Sequence, residues 1–475
     1  MTQHTRILLL VATGVFMSTL DSSMLNVALP SIMQEFTSSL ALTEWVIMIY
    51  LLTITIMLLF WGHLSQRYHQ GKIYCTGVLL FSIGSLLCYF APDIYLLIAF
   101  RFFQALGASM MMAMGPAIIK SVISREHLGK GLGQIGIATS LGLMSGPPIS
   151  GLLIRWADWR LIFLMTVPVG AAVYGLGRRI LRNEPMGQNQ ADGRQQQPQF
   201  DLTGGFLWIT AISLTLFMIT HTTSICCSSQ PSFPFMLLML ISVPLTWFLL
   251  VRHEKRQTQP LLPIDLFRQR FFSMAILSAG LSFCVLFFVL LLIPFYLRSV
   301  QQLSADQTGY IMMALPLCVF FISPAAGRLH DRFGAQIIAT TGLALCFMAL
   351  FLLTTIEATS SSWYIASLLA LLGFGQAMFL APNSAAALKH VKKQQAGITS
   401  SLLATARNIG MLAGTALAGL IFSLSFARLT GGQDMKDFNP QLTPAFMLAL
   451  HHSFQVAAFL AGAGMAASWW RVKKE

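Results

Sequence analysis

Fourteen apolar runs dominate the sequence and restrict the folds that the chain can adopt. Each run holds about 20 predominantly apolar residues, the length that an α-helix needs to cross the hydrocarbon core of a bilayer. The runs lie at 7–29, 43–62, 73–91, 94–119, 130–153, 160–181, 202–222, 232–251, 272–297, 308–328, 336–356, 362–388, 398–426 and 444–470. Only 10% of the 475 residues are charged, whereas soluble domains carry about 25%. We therefore expect an all-α polytopic membrane protein with fourteen transmembrane helices.

The basic residues set the expected orientation. When the runs are threaded alternately through a membrane, 23 of the 30 Lys and Arg residues fall on one side and five on the other, while Arg101 and Arg407 lie within runs. Cytoplasmic loops of membrane proteins carry an excess of Lys and Arg. Both termini are therefore expected in the cytoplasm. The same bias accounts for the formal net charge of +13, so nucleic acid is not expected as a partner.

Two polar segments divide the runs into three groups. The segment 182–201 is rich in Gln and Gly, which is typical of a linker. The segment 252–271 mixes basic and apolar residues and is expected on the cytoplasmic membrane surface. These linkers separate an N-terminal set of six runs at 1–181, a pair of runs at 202–251 and a C-terminal set of six at 272–475.

The two sets of six runs resemble each other. A G-x-L-x-x-R-aromatic pattern begins at Gly62 after the second run and again at Gly327 after the tenth, 265 residues later. Within the fourth and twelfth runs, Gly107 and Gly373 each stand nine residues before a proline. Internal repeats of membrane helices are typical of alternating-access transporters, whose substrate site lies between the halves. The repeat therefore indicates transport.

An acid lies inside the first run. Asp21 is the only acid that the sequence places well within a run, because Glu44, Asp93, Asp158, Asp306 and Glu357 fall at ends or in loops. A carboxylate in hydrocarbon costs several kcal/mol, so it indicates function by default. A purely structural acid, hydrogen-bonded or salt-bridged to its neighbours, is the alternative interpretation.

Arg101 is the expected partner of Asp21. Asp21 lies eight residues from the outer end of its run and Arg101 seven residues from the outer end of the fourth. At about 1.5 Å per residue, both sit roughly 10–12 Å below the outer surface. The hypothesis is that protonation of Asp21 breaks this pair and biases the equilibrium between inward and outward states. The alternative is an arginine bonded to carbonyl groups at a helix end.

Helical periodicity suggests which side chains accompany this pair. Met17, Ser18 and Leu25 share the side of Asp21, and Gln104 and Met112 share the side of Arg101. Small residues and methionines would line an adaptable apolar substrate cavity. Ordinary helix packing is the alternative for any one of them.

These residues match motifs of a known family. The stretch from Leu20 to Pro30 resembles the L-D-x-x-x-x-N-x-A-L-P signature of the fourteen-span drug:proton antiporters of the major facilitator superfamily, and the resemblance covers essentially the whole chain. Arg101 and Gln104 resemble that superfamily's R-x-x-Q-G-x-G motif. The fifth run resembles its antiporter motif G-x-x-x-G-P-x-x-G-G, with Ser150 in place of one glycine. The residues carrying that motif are Gly142, Gly146, Pro147, Pro148 and Gly151.

The loops after the second and tenth runs resemble the superfamily's G-x-L-a-D-R-x-G motif. In the first copy, Gln66 stands where the motif has Asp and His69 where it has Gly, whereas the second copy keeps both residues. The resemblance implies an inner gate at these helix ends, which closes through charge pairs. The residues assigned to it are Gly62, Arg67, Gly327, Asp331 and Arg332.

The resemblance implies a fold of two six-helix bundles with two extra helices inserted between them. It also implies proton-coupled efflux of hydrophobic compounds across a bacterial inner membrane, with the motif of the fifth run as a hinge or seal. Protons, a hydrophobic small molecule and the lipid bilayer are the expected partners, no cofactor or metal is expected, and a periplasmic adaptor protein is left open. One intramembrane acid fits a neutral or singly cationic substrate better than a dication.

Two other functions fit the sequence. The first is export of one specific metabolite by the same mechanism, and the second is a membrane sensor that keeps the fold without transport. No nucleotide-binding P-loop, metal-ligand cluster or hydrolytic triad occurs in the sequence, so an enzyme is not expected and the proton gradient is the expected energy source.

Overall fold

The computed structural model describes residues 3–64, 68–122, 128–181, 201–227, 233–257, 264–389 and 396–471. All the regular elements in these ranges are helices, which confirms the all-α class. Besides a π-helical turn (Tyr296–Val300) and two 3₁₀ turns (Met435–Asp437 and Pro440–Leu442), they comprise sixteen α-helices. In chain order they are α1 (Gln3–Glu35), α2 (Leu40–Leu64), α3 (Gln70–Tyr89), α4 (Ile94–Val122), α5 (Leu128–Trp156), α6 (Leu161–Ile180), α7 (Leu202–Cys227), α8 (Phe233–Glu254), α9 (Ile264–Phe267), α10 (Arg270–Phe295), α11 (Ala305–Met312), α12 (Ala314–Phe333), α13 (Ala335–Leu353), α14 (Ser362–Lys389), α15 (Ala396–Thr430) and α16 (Thr443–Trp469).

Most of these helices are long and apolar enough to cross a membrane. Thirteen candidate spans are found within the described residues, and each coincides with one of the expected runs. The run at 308–328 is built from α11 and α12, which follow each other directly. The run at 232–251 is also helical, as α8, although it is not among the thirteen. Nearly all of the predicted linker at 182–201 lies outside the described residues.

The chain divides into two compact units. The first comprises residues 1–28 and 45–202, and the second comprises residues 29–44 and 203–475. In the first unit, α3 packs along α4 and α6 around a core that includes Tyr74, Phe81 and Met111. In the second unit, α13 packs along α14 and α16, and α10 packs along α15. The third helix of each set of six therefore contacts the fourth and sixth, which is the structural counterpart of the sequence repeat.

Glycines bring the first and fifth helices of each set together. A Cβ atom added at Gly142 of α5 would lie 2.8 Å from the carbonyl oxygen of Phe16 on α1. In the second unit, a Cβ added at Gly414 of α15 would lie 2.9 Å from the Cα of Cys284 on α10. Neither backbone could approach so closely if a larger residue stood at these positions. These contacts fix α1 against α5 and α10 against α15.

Candidate functional site

The structure brings Asp21 and Arg101 together inside the first unit. Arg101 Nη1 lies 2.6 Å from Asp21 Oδ2, and the two side chains are 1% and 2% exposed, respectively. Asp21 comes from the middle of α1 and Arg101 from the first third of α4. Their equal depth in the sequence thus corresponds to a direct ion pair. Because both side chains are withdrawn from solvent, neither can gain or lose its charge without affecting the other.

Gln104 links the pair to a longer hydrogen-bonded chain. It lies one turn after Arg101 on α4, and its Nε2 donates to Asp21 Oδ1 at 2.9 Å and to Ser85 Oγ at 2.7 Å. Its Oε1 accepts a hydrogen bond from Arg101 Nη1 at 2.5 Å. Ser85 Oγ in turn lies 3.0 Å from Thr166 Oγ1 on α6. Both oxygens of the Asp21 carboxylate therefore accept a hydrogen bond from α4.

The guanidinium of Arg101 has further partners that do not depend on Asp21. Its Nε donates to the carbonyl oxygen of Val46 at 3.2 Å, and its Cζ lies 4.2 Å from the centre of the Tyr50 ring. The Tyr50 hydroxyl is 3.0 Å from Ser18 Oγ on α1. The cation can therefore stay in place by a cation–π contact and a carbonyl bond if Asp21 becomes neutral.

The residues expected to line a substrate cavity occupy different environments. Met17, Ser18 and Leu25 are at most 2% exposed, and Met17 packs in the core of the first unit while Ser18 contacts Tyr50. Gln104 is fully buried within the hydrogen-bonded chain. Met112 is half-buried and packs against the same core. The described contacts of these five side chains are with protein, and their part in substrate binding stays a prediction.

The antiporter motif lies along α5, facing α1. Gly146 approaches Ser23 so closely that an added Cβ would lie 2.5 Å from the Ser23 Cβ. The helix continues through Pro147 and Pro148 to its end at Trp156. Pro147 has no N–H for the carbonyl of Leu143, one turn earlier, and the Ser23 hydroxyl donates to that oxygen at 2.9 Å. The motif therefore forms a tight contact with α1, the helix that carries Asp21. Gly151, the last residue of the motif, is buried in α5.

The residues assigned to the inner gate are only partly described. Arg67 lies outside the described residues, as does the side chain of Asp331. Gly62 and Arg332 lie near the ends of α2 and α12, and Gly327 lies in the last third of α12. Among the described residues outside the same helix backbone, no atom comes within 4 Å of a Cβ added at either glycine. Their gating role stays a prediction.

The structure explains why the two copies of the loop motif differ at their last position. Gly334 ends α12 with a φ angle of +83°, which favours glycine. His69, at the corresponding place in the first copy, has a φ angle of −60° that any residue can adopt. The first loop therefore needs no glycine there.

Asp21 is not the sole buried acid of the helices. Glu44, the fifth residue of α2, is 3% exposed, Asp306 in the first turn of α11 is 4% exposed, and Glu254 at the end of α8 is 2% exposed. The sequence places all three near the ends of apolar runs, where contact with water was expected. All three are buried in the structure instead, and linear position in a run does not show this.

Sequence reasoning assigned no role to several residues that hold the site together. The ion pair and its hydrogen-bonded chain are completed by Ser85, Thr166 and Tyr50. Ser23 donates a hydrogen bond to a backbone carbonyl of α5. Each is a polar residue within an apolar run, which is the only signal that the sequence offers for it. Their partners lie on other helices, so periodicity along one helix could not identify them.

Comparisons with known proteins agree with this architecture. A family model described as Major Facilitator Superfamily matches residues 11–415. The riboflavin transporter RibZ of Clostridioides difficile is 30% identical over 98% of this chain and 97% of its own. The multidrug resistance protein Stp of Mycobacterium tuberculosis is 28% identical over 88% of this chain and 76% of its own.

Solved structures show the same fold. A bacterial homolog of the human lysosomal transporter Spinster superposes with a TM-score of 0.69, covering 99% of this chain and 97% of its own, at 14% sequence identity. This likeness concerns the fold alone, whereas the family match rests on most of the sequence. The chain therefore belongs to the major facilitator superfamily and is a multi-pass membrane transporter, not an enzyme.

Proposed function

We propose that this chain is a proton-coupled antiporter that exports hydrophobic small molecules, neutral or singly cationic, across a bacterial cytoplasmic membrane by alternating access. The observation that carries the proposal is the buried pair of Asp21 and Arg101, with an arginine that keeps other partners if the acid is neutralised. Burying an acid inside a membrane helix costs several kcal/mol, and a role in proton movement accounts for its presence there.

The proton acts through the charge balance of the network. With Asp21 ionised, the pair is neutral and α1 is bound to α4 through two hydrogen bonds. A proton on Asp21 removes the ionic contact and leaves one uncompensated positive charge in a buried site. A conformation in which water reaches the site stabilises this uncompensated charge. Proton binding therefore favours the conformation in which the site is open. Substrate and proton then occupy the transporter in alternation.

The relatives support two kinds of substrate. The protein Stp is named for multidrug resistance, and substrates of that kind would give this chain a role in antibiotic resistance. The riboflavin transporter RibZ is named for one metabolite and matches a larger share of the chain, which favours export of a single compound as the second candidate. Both candidates use the same proton site.

The proposal is tested with the purified chain in liposomes that carry an imposed pH gradient. We expect drug or riboflavin accumulation to be coupled to proton release in the wild type and in Asp21→Glu, which keeps an acid. We expect Asp21→Asn to release fewer protons per substrate than the wild type. The matched control is Asp158→Asn, because Asp158 is 48% exposed and its pairing with Arg160 lies outside the buried network. Undiminished substrate-driven proton release by Asp21→Asn would contradict the proposal.

A further inference from the structure

Glu44 occupies a buried position that the proposed proton site does not use. It belongs to residues 29–44, which cluster with the second unit, as does Gly419 of α15. The Glu44 carboxyl lies directly over the α-carbon of Gly419, where an added Cβ would overlap both carboxyl oxygens. The side chain is 3% exposed. The missing side chain at position 419 therefore provides the space that the carboxyl fills.

One oxygen of this carboxyl lacks a hydrogen-bond donor. Its Oε1 is buried and has no hydrogen-bond partner among the described residues. The nearby hydroxyls of Ser38 and Thr43 bond to each other at 2.7 Å. No titratable side chain occurs on α15 between Gly410 and Ala427. A carboxylate buried in this way costs far more than a neutral acid.

The charged group that faces Glu44 is another acid. Asp434, in the segment after α15, accepts hydrogen bonds from the backbone N–H groups of Leu40, one turn before Glu44 on α2, at 3.4 Å and of Lys436 at 3.2 Å. The other acid in residues 29–44 is Glu35, which lies exposed at the end of α1. A second negative charge beside Asp434 would be repelled. The neutral acid is therefore the form of Glu44 that this packing accepts.

We propose that Glu44 is a second proton-binding carboxyl of this transporter, protonated while residues 29–44 pack against α15 and ionised when that packing opens to water. The proton comes from the adjoining solution and returns to solution on opening, so no other reactant is needed. This inference rests on the proposed proton-coupled function for its role in transport, but not for the protonation itself.

A metal cation does not fit the same position. Ca²⁺ and Mg²⁺ take six or more oxygen ligands, and the carboxyl fills the space over Gly419. In the part of the chain that the structure describes, no group of three or more His, Cys, Asp or Glu residues is arranged to hold a metal. A proton needs only one carboxyl oxygen, and Glu44 supplies it.

The protonation is tested by infrared spectroscopy of the full chain in lipid bilayers at neutral pH. We expect a neutral-carboxyl C=O band in the wild type that is lost in Glu44→Gln, whose amide has nearly the shape of the neutral acid. The matched control Glu35→Gln should leave the band unchanged, because Glu35 is exposed. A second variant, Gly419→Ala, keeps the acid but displaces its carboxyl, and it should also lose the band. Retention of the band in both Glu44→Gln and Gly419→Ala would overturn the inference.

The role in transport is measured separately in the liposomes described above. We expect the number of protons moved per substrate to fall by about half in Glu44→Gln, because one of two linked protons is lost. An unchanged ratio would overturn this role. If the wild type moves no protons with substrate, the proposed function fails, whereas the infrared band still decides whether Glu44 is protonated.

Discussion

At the scale of single residues, the buried pair of Asp21 and Arg101 depends on its neighbours as much as on Coulomb attraction. Taking two charges out of water costs several kcal/mol for each ion, and attraction offsets this only if the remaining donors and acceptors are satisfied. Gln104 and the carbonyl of Val46 supply those hydrogen bonds. Removing one charge therefore leaves the other buried without compensation, whereas removing both does not.

A double-mutant cycle tests this dependence. We expect Asp21→Asn and Arg101→Gln each to lower the free energy of unfolding by about 3–5 kcal/mol, because each leaves one buried charge unpaired. The double variant should lose less free energy of unfolding than the two single variants together, since the two neutral amides can hydrogen-bond to each other. Thermal and denaturant unfolding of the purified chain measure these differences.

The exposed pair of Asp158 and Arg160 is the control for that cycle. Its atoms lie 3.5 Å apart, and the side chains are 48% and 20% exposed. Pairs of this kind contribute at most about 1 kcal/mol, so Asp158→Asn and Arg160→Gln should have small and additive effects. Additive losses at Asp21 and Arg101 as well would show that the buried pair is not coupled.

At the scale of helices, the contact between α1 and α5 is a backbone contact made possible by particular residues. Gly142 and Gly146 allow the close approach, and Pro147 exposes the carbonyl of Leu143 to α1. Ser23 lies two residues after Asp21, so the helix that carries the proposed proton site is bonded to the antiporter motif beside it. A change at Asp21 can therefore act directly on α5.

The hydrogen bond from Ser23 has a specific test by suppression. Ser23→Ala should destabilise the chain by about 1–3 kcal/mol, because the part-buried carbonyl of Leu143 loses the hydroxyl donor from α1 while Pro147 supplies no N–H. The double variant Ser23→Ala, Pro147→Ala should regain most of this loss, since the alanine N–H can donate to that carbonyl within α5. Unfolding temperatures of the three variants measure the effect.

Ser145 on the same helix provides the control. Its hydroxyl donates to the carbonyl of Leu141 one turn earlier on α5 and is exposed. Ser145→Ala should therefore leave the unfolding temperature nearly unchanged. If Ser145→Ala lowered the unfolding temperature as much as Ser23→Ala, the effect would not depend on the hydrogen bond between α1 and α5.

At the scale of the whole molecule, the sequence was sufficient to predict what depends on local pattern. Hydropathy placed the helices, because a membrane span needs a run of about 20 apolar residues whatever its neighbours are. Equal depth in two runs predicted that Asp21 and Arg101 could meet. The burial of Glu44 and the partners of Gln104 could not be predicted, because both depend on which helices lie side by side. Only the folded chain brings Gly419 under Glu44.

The orientation of the molecule gives the last prediction. α13 runs from Ala335 to Leu353, about 28 Å of helix and close to the thickness of a bilayer core. The distribution of Lys and Arg predicts that its N-terminal end lies in the cytoplasm and its C-terminal end outside. Phe333 is 60% exposed at one end, and Thr359 is exposed beyond the other. In a cysteine-free background, Thr359→Cys should therefore react with a membrane-impermeant thiol reagent in intact cells, whereas Phe333→Cys should react only after permeabilisation. Each variant is the control for the other, and the reverse pattern would mean that both termini face outward.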